Sequence, residues 1–261
     1  MKGYDLHTHT IFCDGKNTPE EMVKSAIDKG LNTVGILAHS YCECEPEEFL
    51  HYNDILKFQS EINALKEKYK GQINVLCGVE QDLVSPKQAT TNGFDYVIGS
   101  IHYFMVDGKE YPIDLSEESF VENVKMLFNG DYYLAAENYY ENLSKVVERT
   151  GANIIAHFDL MKKYNVDGKY FDEKNVRYVN AYRKAVDKLA LTGALFEINV
   201  GCMCRKVCHS EPYPNKKIFD YILSKGGKFV YGSDSHSIDT IGYAFNDYKD
   251  FVEYKIKGID L

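Results

Sequence analysis

Seven short apolar runs, each followed by a stretch of helical character, constrain this chain more than any other feature. Strands that alternate with helices pair in parallel and are joined by right-handed crossovers. The runs are Tyr4 to Leu6 leading into His7, Thr33 to Ala38, Ile73 to Val79, Asp95 to Ile101, Asn153 to Ala156, Ala194 to Val200 and Lys228 to Gly232. A continuous apolar run of strand length suits a parallel strand covered on both faces. Between the first two, Thr18-Pro19-Glu20-Glu21 supplies an N-cap, a first-turn proline and a capping-box glutamate. Met22, Val23, Ala26 and Ile27 then carry an apolar stripe as far as Lys29-Gly30. Further helices are expected over 46–69 (one or two), 116–128, 131–148, 172–191, 215–224 and 244–254. The pattern is α/β, either a barrel or a doubly wound sheet. No linker interrupts it, so one domain over 1–261 is expected.

In both architectures the C-terminal ends of the strands share one edge, and active sites sit there. That edge collects His7 and His9, His39, Glu80, His102, His157, Asp234 and His236, with Asp14 in the first turn. Six of the eight histidines are among them, leaving His51 and His209 elsewhere. Side-chain alternation puts His7 and His9 on the same face of their strand, where their nitrogens can converge on one ion. Imidazoles and carboxylates without thiolate suit Zn²⁺, Mn²⁺ or Fe, and there are more of them than one ion can take. Paired metals supply both the hydroxide nucleophile and the charge neutralisation that phosphate-ester hydrolysis demands.

Composition narrows the partners. The net charge of −9 argues against broad binding to nucleic acid or anionic membrane, so an anionic substrate needs local cations. Arg205 is the one arginine in a strand-end loop, the others being Arg149, Arg177 and Arg183. Its planar guanidinium can grip two phosphate oxygens at once. His209 is a candidate proton donor to a leaving alkoxide. Seven cysteines, with no apolar run of transmembrane length and no signal peptide ahead of the first strand, predict a cytoplasmic protein without a disulfide framework. Cys42 and Cys44 follow the second strand, and Cys202, Cys204 and Cys208 the sixth, at spacings unlike a zinc ribbon or finger.

Taken together, HTHTxFCDG at His7 to Gly15, AHS at His39, GVE at Glu80, SIH at His102, AHFDL at His157 and GSDSH at Gly232 to His236 resemble the polymerase and histidinol phosphatase (PHP) superfamily. The likeness runs along essentially the whole chain. Glu197-Ile198-Asn199, Gly201, Arg205 and Tyr213-Pro214 resemble its stand-alone histidinol-phosphate phosphatases. The resemblance implies a distorted (βα)7 barrel, one PHP-type domain over 1–261, and two or three divalent ions. Carried onto this sequence, one ion takes His7, His9, Glu80 and Asp234; Glu80 bridges to a second that takes His102 and His157; a third takes Asp14, His39 and His236.

The activity so implied is hydrolysis of L-histidinol phosphate, a small-molecule phosphate ester, to L-histidinol and phosphate in histidine biosynthesis. A metal-bridging hydroxide would attack while Arg205 and the third ion hold the phosphate oxygens. Glu43, Glu45 and Glu47 are candidates, by location, to face the cationic end of the substrate. Two alternatives stay open: the same chemistry on another small ester or nucleotide, and a metal-binding module without catalysis. The sequence sets no oligomeric state.

Overall fold

The structure, a computed structural model, describes residues 3–43, 49–86, 90–204 and 210–261. Its first half runs β1 (Tyr4–Thr8), α1 (Pro19–Asp28), β2 (Thr33–Ile36), α2 (Ile55–Lys68), β3 (Asn74–Asp82), β4 (Tyr96–Ser100), β5 (Tyr103–Val106) and β6 (Lys109–Pro112). Then follow α3 (Glu117–Phe128), α4 (Tyr132–Leu143), α5 (Val146–Thr150), β7 (Ile154–Ile155), α6 (Val176–Leu189), β8 (Leu195–Asn199) and α7 (Gly201–Cys204). The chain ends with α8 (Lys216–Ser224), β9 (Phe229–Gly232), α9 (Phe245–Tyr248), β10 (Lys255–Ile256) and β11 (Ile259–Asp260).

Seven strands form one sheet in the order β1-β2-β3-β4-β7-β8-β9, with every neighbouring pair parallel. A bridge between Thr8 and Ser235 brings the two outer strands together. Around it the His9 N–H donates to the Ser235 carbonyl at 2.7 Å and the Ser235 N–H to the His7 carbonyl at 3.1 Å. The sheet therefore curls into a nearly closed, seven-stranded barrel, which decides against the doubly wound alternative. All seven C-terminal ends open at one mouth.

Helices form where caps and stripes coincide. Thr18 and Glu21 make the reciprocal capping box of α1, which buries Met22, Val23 and Ala26. Ser116, Asp131, Asn175 and Asn215 cap α3, α4, α6 and α8 through their side chains. Helices α1 and α2 cover Val34, Ile36, Val75 and Cys77 on the outside of the barrel. Alternation then turns Gly35, Leu76 and Gly78 inward. There the buried Tyr96 ring crosses the barrel, its hydroxyl donating to the Leu6 carbonyl at 2.5 Å. A Cβ on Gly78 would sit 2.6 Å from Tyr96 Cζ, and one on Gly35 would fall on its hydroxyl. The two glycines are the space that the tyrosine occupies.

Four expectations need correction. Strand β3 does not end at Glu80 but continues to Asp82, so Leu76, Gly78, Glu80 and Asp82 alternate along one inner face, from barrel floor to mouth. The helix expected over 244–254 is one turn long. Ala244 has φ of 54°, and the rings of Phe245 and Tyr254 pack edge-on against Tyr4 at 5.8 and 5.5 Å. Tertiary packing under β1 thus overrides the helical pattern, and β10 and β11 pair antiparallel after it. Within 46–69, α2 starts only at Ile55, because Leu50 bridges to Ser40 and Phe49 lies against His39 at 5.3 Å. The stretch 131–148 divides between α4 and α5 around Ser144, whose hydroxyl caps the Glu141 carbonyl at 2.7 Å.

The β5–β6 hairpin was not foreseen. Its signal is Asp107-Gly108, whose φ values of 51° and 74° make the two-residue turn that such a pair favours. No described helix is long and apolar enough to cross a membrane.

Candidate metal centre

Glu80 is the hub of the barrel mouth. It is 1% exposed, and five imidazoles from four other strand ends surround its carboxylate. On Oε2 lie His7 Nε2 at 3.1 Å, His9 Nε2 at 3.3 Å and His39 Nδ1 at 3.1 Å. On Oε1 lie His157 Nε2 at 3.1 Å and His102 Nε2 at 3.5 Å. Asp234 Oδ1 stands 3.8 and 3.7 Å from the His7 and His9 nitrogens. Further out, Asp14 approaches His236 Nε2 at 2.8 Å, His39 Nε2 at 3.7 Å and His9 Nδ1 at 3.9 Å. All nine expected ligand residues thus meet at one mouth.

Three sets are compact enough to hold an ion: His7, His9 and Glu80; His39, Glu80 and His102; and His9, Asp14, His39 and His236. His39 therefore touches two sets, whereas the family resemblance implied one. His157 reaches the centre through Glu80 rather than within these three sets.

The donors suit divalent metal. His7 Nε2 and His9 Nε2 face each other at 3.0 Å inside a fully buried pocket, beside one carboxylate oxygen. Lone pairs converging this way, drawn only from imidazole and carboxylate, match Zn²⁺, Mn²⁺ or Fe. Burial, reinforced by the His39 and His236 rings, pushes His9 down to about 3, leaving a neutral ligand nitrogen. Burial alone would raise the Glu80 carboxyl, yet His39 and His7 outweigh it and hold the group well below its ordinary value.

Two carboxylates that the sequence reading did not assign a role brace the ligands from behind. Glu197 Oε1 lies 2.6 Å from His7 Nδ1, and Asp82 Oδ2 lies 2.9 Å from His102 Nδ1. Burial works against a charged His102, but the Asp82 hydrogen bond and the Asp114 and Glu80 charges together outweigh it and lift the ring to about 10. The same i, i+2 alternation that places Glu80 could have found Asp82.

Above the hub opens a cavity of about 290 Å³, lined on its polar side by Asp14, Glu80, Asp114, Asp234 and Lys163 and on its apolar side by Phe49, Tyr103 and Leu115. Lys163 Nζ donates to the Asp114 carbonyl at 2.9 Å and lies 3.3 Å from its carboxylate. Burial would raise the Asp114 carboxyl, but Lys163 leads the charges that keep it below its ordinary value. Glu43 is exposed and is not among the residues lining this cavity. Glu45, Glu47, Arg205 and His209 lie outside the described residues. Among the remaining histidines, His51 packs on Tyr41 and Tyr52 at 5.1 and 4.1 Å.

The cysteines do not join a described ligand set. Cys202 Sγ meets the Tyr213 hydroxyl at 2.9 Å, and Cys204 Sγ donates to the Gly201 carbonyl at 3.2 Å. Cys42 is disulfide-bonded, a correction to the expectation of a chain without a disulfide framework. Cys44 and Cys208 lie outside the described residues.

The mouth of this parallel barrel gathers six histidines, five of them around Glu80 and the sixth, His236, on Asp14, which is the donor set of a candidate metal-site barrel. A family model described as the PHP domain matches residues 5–201, and the chain belongs to that family. Histidinol-phosphatase of Bacillus subtilis is 24% identical, over 94% of this chain and 97% of its own. A Schizosaccharomyces pombe protein named "probable histidinol-phosphatase" is 25% identical, over 95% of this chain and 85% of its own. Among solved structures, hisK from Listeria monocytogenes superposes with a TM-score of 0.82 at 24% identity, covering 94% of this chain and 99% of its own. Histidinol phosphate phosphatase from Lactococcus lactis, complexed with zinc, L-histidinol and phosphate, gives 0.65 at 20% identity, covering 95% and 93%. These two share the barrel.

Proposed function

We propose that this chain is a metal-dependent phosphomonoesterase that hydrolyses L-histidinol phosphate to L-histidinol and phosphate. The observation that carries the reading is the Glu80 hub beneath a cavity of substrate size. The family, and relatives of nearly equal length named histidinol-phosphatase, point the same way. The cavity's own charge supports a metal requirement. Asp14, Glu80, Asp114 and Asp234 face Lys163, which is the one lysine among the described lining residues. An anionic ester would be repelled from such a pocket unless divalent cations reversed its sign.

Two or three ions would be held by His7, His9, Glu80 and Asp234, by Glu80, His102 and His157, and by Asp14, His39 and His236. When bound, such ions supply a nucleophile from water at neutral pH and neutralise the phosphate. The chain's own residues do the rest. Lys163, steadied by Asp114, is placed to pair with a phosphate oxygen. The Asp114 carboxylate is placed to receive the substrate's cationic end, with Phe49 and Tyr103 offering flat apolar walls. Arg205 is assigned to the phosphate as a second cation, and His209 to the departing alkoxide as proton donor.

Phosphate release from L-histidinol phosphate, a nucleoside monophosphate and an aryl phosphate tests the reading, with protein loaded with Mn²⁺ or Zn²⁺ and a chelated control. Metal-dependent preference for L-histidinol phosphate is expected. Preference for another ester would discard the substrate, and metal binding without hydrolysis would leave a non-catalytic module. For Lys163→Ala the KM is expected to rise about 10- to 100-fold, the range of a lost charge-assisted hydrogen bond, with metal content unchanged. Loss of metal from that variant would refute its assignment to the substrate.

A further inference from the structure

Glu197 does more than neighbour His7. Its Oε1 lies 2.6 Å from His7 Nδ1, while its Oε2 accepts two hydrogen bonds at 2.9 Å, from the backbone N–H of His157 and from Asn199 Nδ2. The side chain is 1% exposed, so water cannot substitute for these partners. Gly232 walls the carboxylate in: a Cβ there would collide with Oε1 and lie 2.8 Å from His7 Cβ. Asn199 Nδ2 also reaches Asp234 Oδ2 at 3.3 Å. One buried carboxylate thus ties together His7, His157 and, through Asn199, Asp234.

Resting on the metal reading above, we propose that Glu197 is a positioning residue that sets the tautomer of His7. An ionised carboxylate accepts on both oxygens, so it takes the Nδ1 proton of His7 and leaves Nε2 bare toward Glu80, His9 and an ion. An amide cannot do both. The His157 backbone N–H is a fixed donor, so in Glu197→Gln the amide oxygen must stay at the Oε2 position. The –NH₂ then faces His7 Nδ1, which has to become an acceptor. The ring proton moves to Nε2 and blocks the coordinating lone pair. Shape and volume are nearly unchanged, so the effect is on metal, through chemistry rather than folding.

The experiment is Zn²⁺ titration of metal-stripped wild-type and Glu197→Gln protein, alongside thermal melts of both without metal and nitrogen-15 spectra of the histidine rings with zinc. Weakening of at least one zinc site by about 10- to 100-fold is expected in the variant, together with a metal-free melting temperature close to wild type and activity regained at high zinc. Equal zinc affinity in the two proteins overturns the proposal. A variant whose metal-free melting temperature drops while its zinc affinity holds shows a structural role and also overturns it. Should the variant fail to fold, zinc-loaded wild type decides: His7 must carry its proton on Nδ1, and the reverse tautomer refutes the idea. Failure of wild type to bind zinc would instead sink the metal reading itself.

Discussion

Glu80→Gln is expected to lose at least one metal ion per chain and to lower phosphatase activity by about 10³-fold or more, given what preorganised charge stabilisation contributes to such reactions. The reason lies in how its two oxygens are used. Oε2 faces His7, His9 and His39, and Oε1 faces His157 and His102, so on the proposed reading the carboxylate would serve two ions at once. An amide keeps one acceptor and turns an –NH₂ toward the other imidazoles, which cannot then converge on a cation. Metal analysis after desalting measures the loss directly. A second readout is thermal: added metal should raise the wild-type melting temperature by mass action and raise that of the variant less. Full metal content with full activity would remove Glu80 from the centre.

Gly35→Ala is expected to destabilise the barrel strongly. The new methyl would fall on the Tyr96 hydroxyl, 2.9 Å from Tyr96 Cζ and 3.0 Å from the Leu6 carbonyl, in a region with no exposed space. Overpacking of this kind costs about 1–3 kcal/mol or more, and a domain of this size loses about 2–4 °C of melting temperature per kcal/mol. Tyr96→Phe removes the atom that clashes, while sacrificing a hydrogen bond worth roughly 1 kcal/mol. The double variant Gly35→Ala/Tyr96→Phe should therefore be more stable than the sum of the two single effects. Strict additivity would mean that Tyr96 does not fill the space over Gly35.

Much of the candidate centre was legible in the sequence, because its expected ligands mark the ends of separate apolar runs. His7, His39, Glu80, His102 and His157 each stand in or just after such a run, and parallel pairing alone carries them to one mouth. What stayed hidden depends on neighbours far away in sequence. Lys163 and Asp114 are ordinary charged residues until the loop after β7 meets the one after β6, 49 residues away, across the cavity. Glu197 was legible as a polar residue on an inner strand face, but its bond to His7 spans 190 residues. The segment 244–254 misled because its spacing is helical, while the ring of Tyr4 draws Phe245 and Tyr254 into the floor of the barrel.

The sequence by itself determined the strand–helix alternation, the parallel pairing that follows from it, and the identity of the side chains delivered to the mouth. These are consequences of local periodicity and capping, which act over a few residues. Only the tertiary structure decided that the sheet closes through Thr8 and Ser235, that Tyr96 fills the floor over two glycines, and that Glu197 and Asp82 stand behind His7 and His102. Those outcomes depend on which distant atoms share a volume of a few ångströms, and no local pattern encodes that distance.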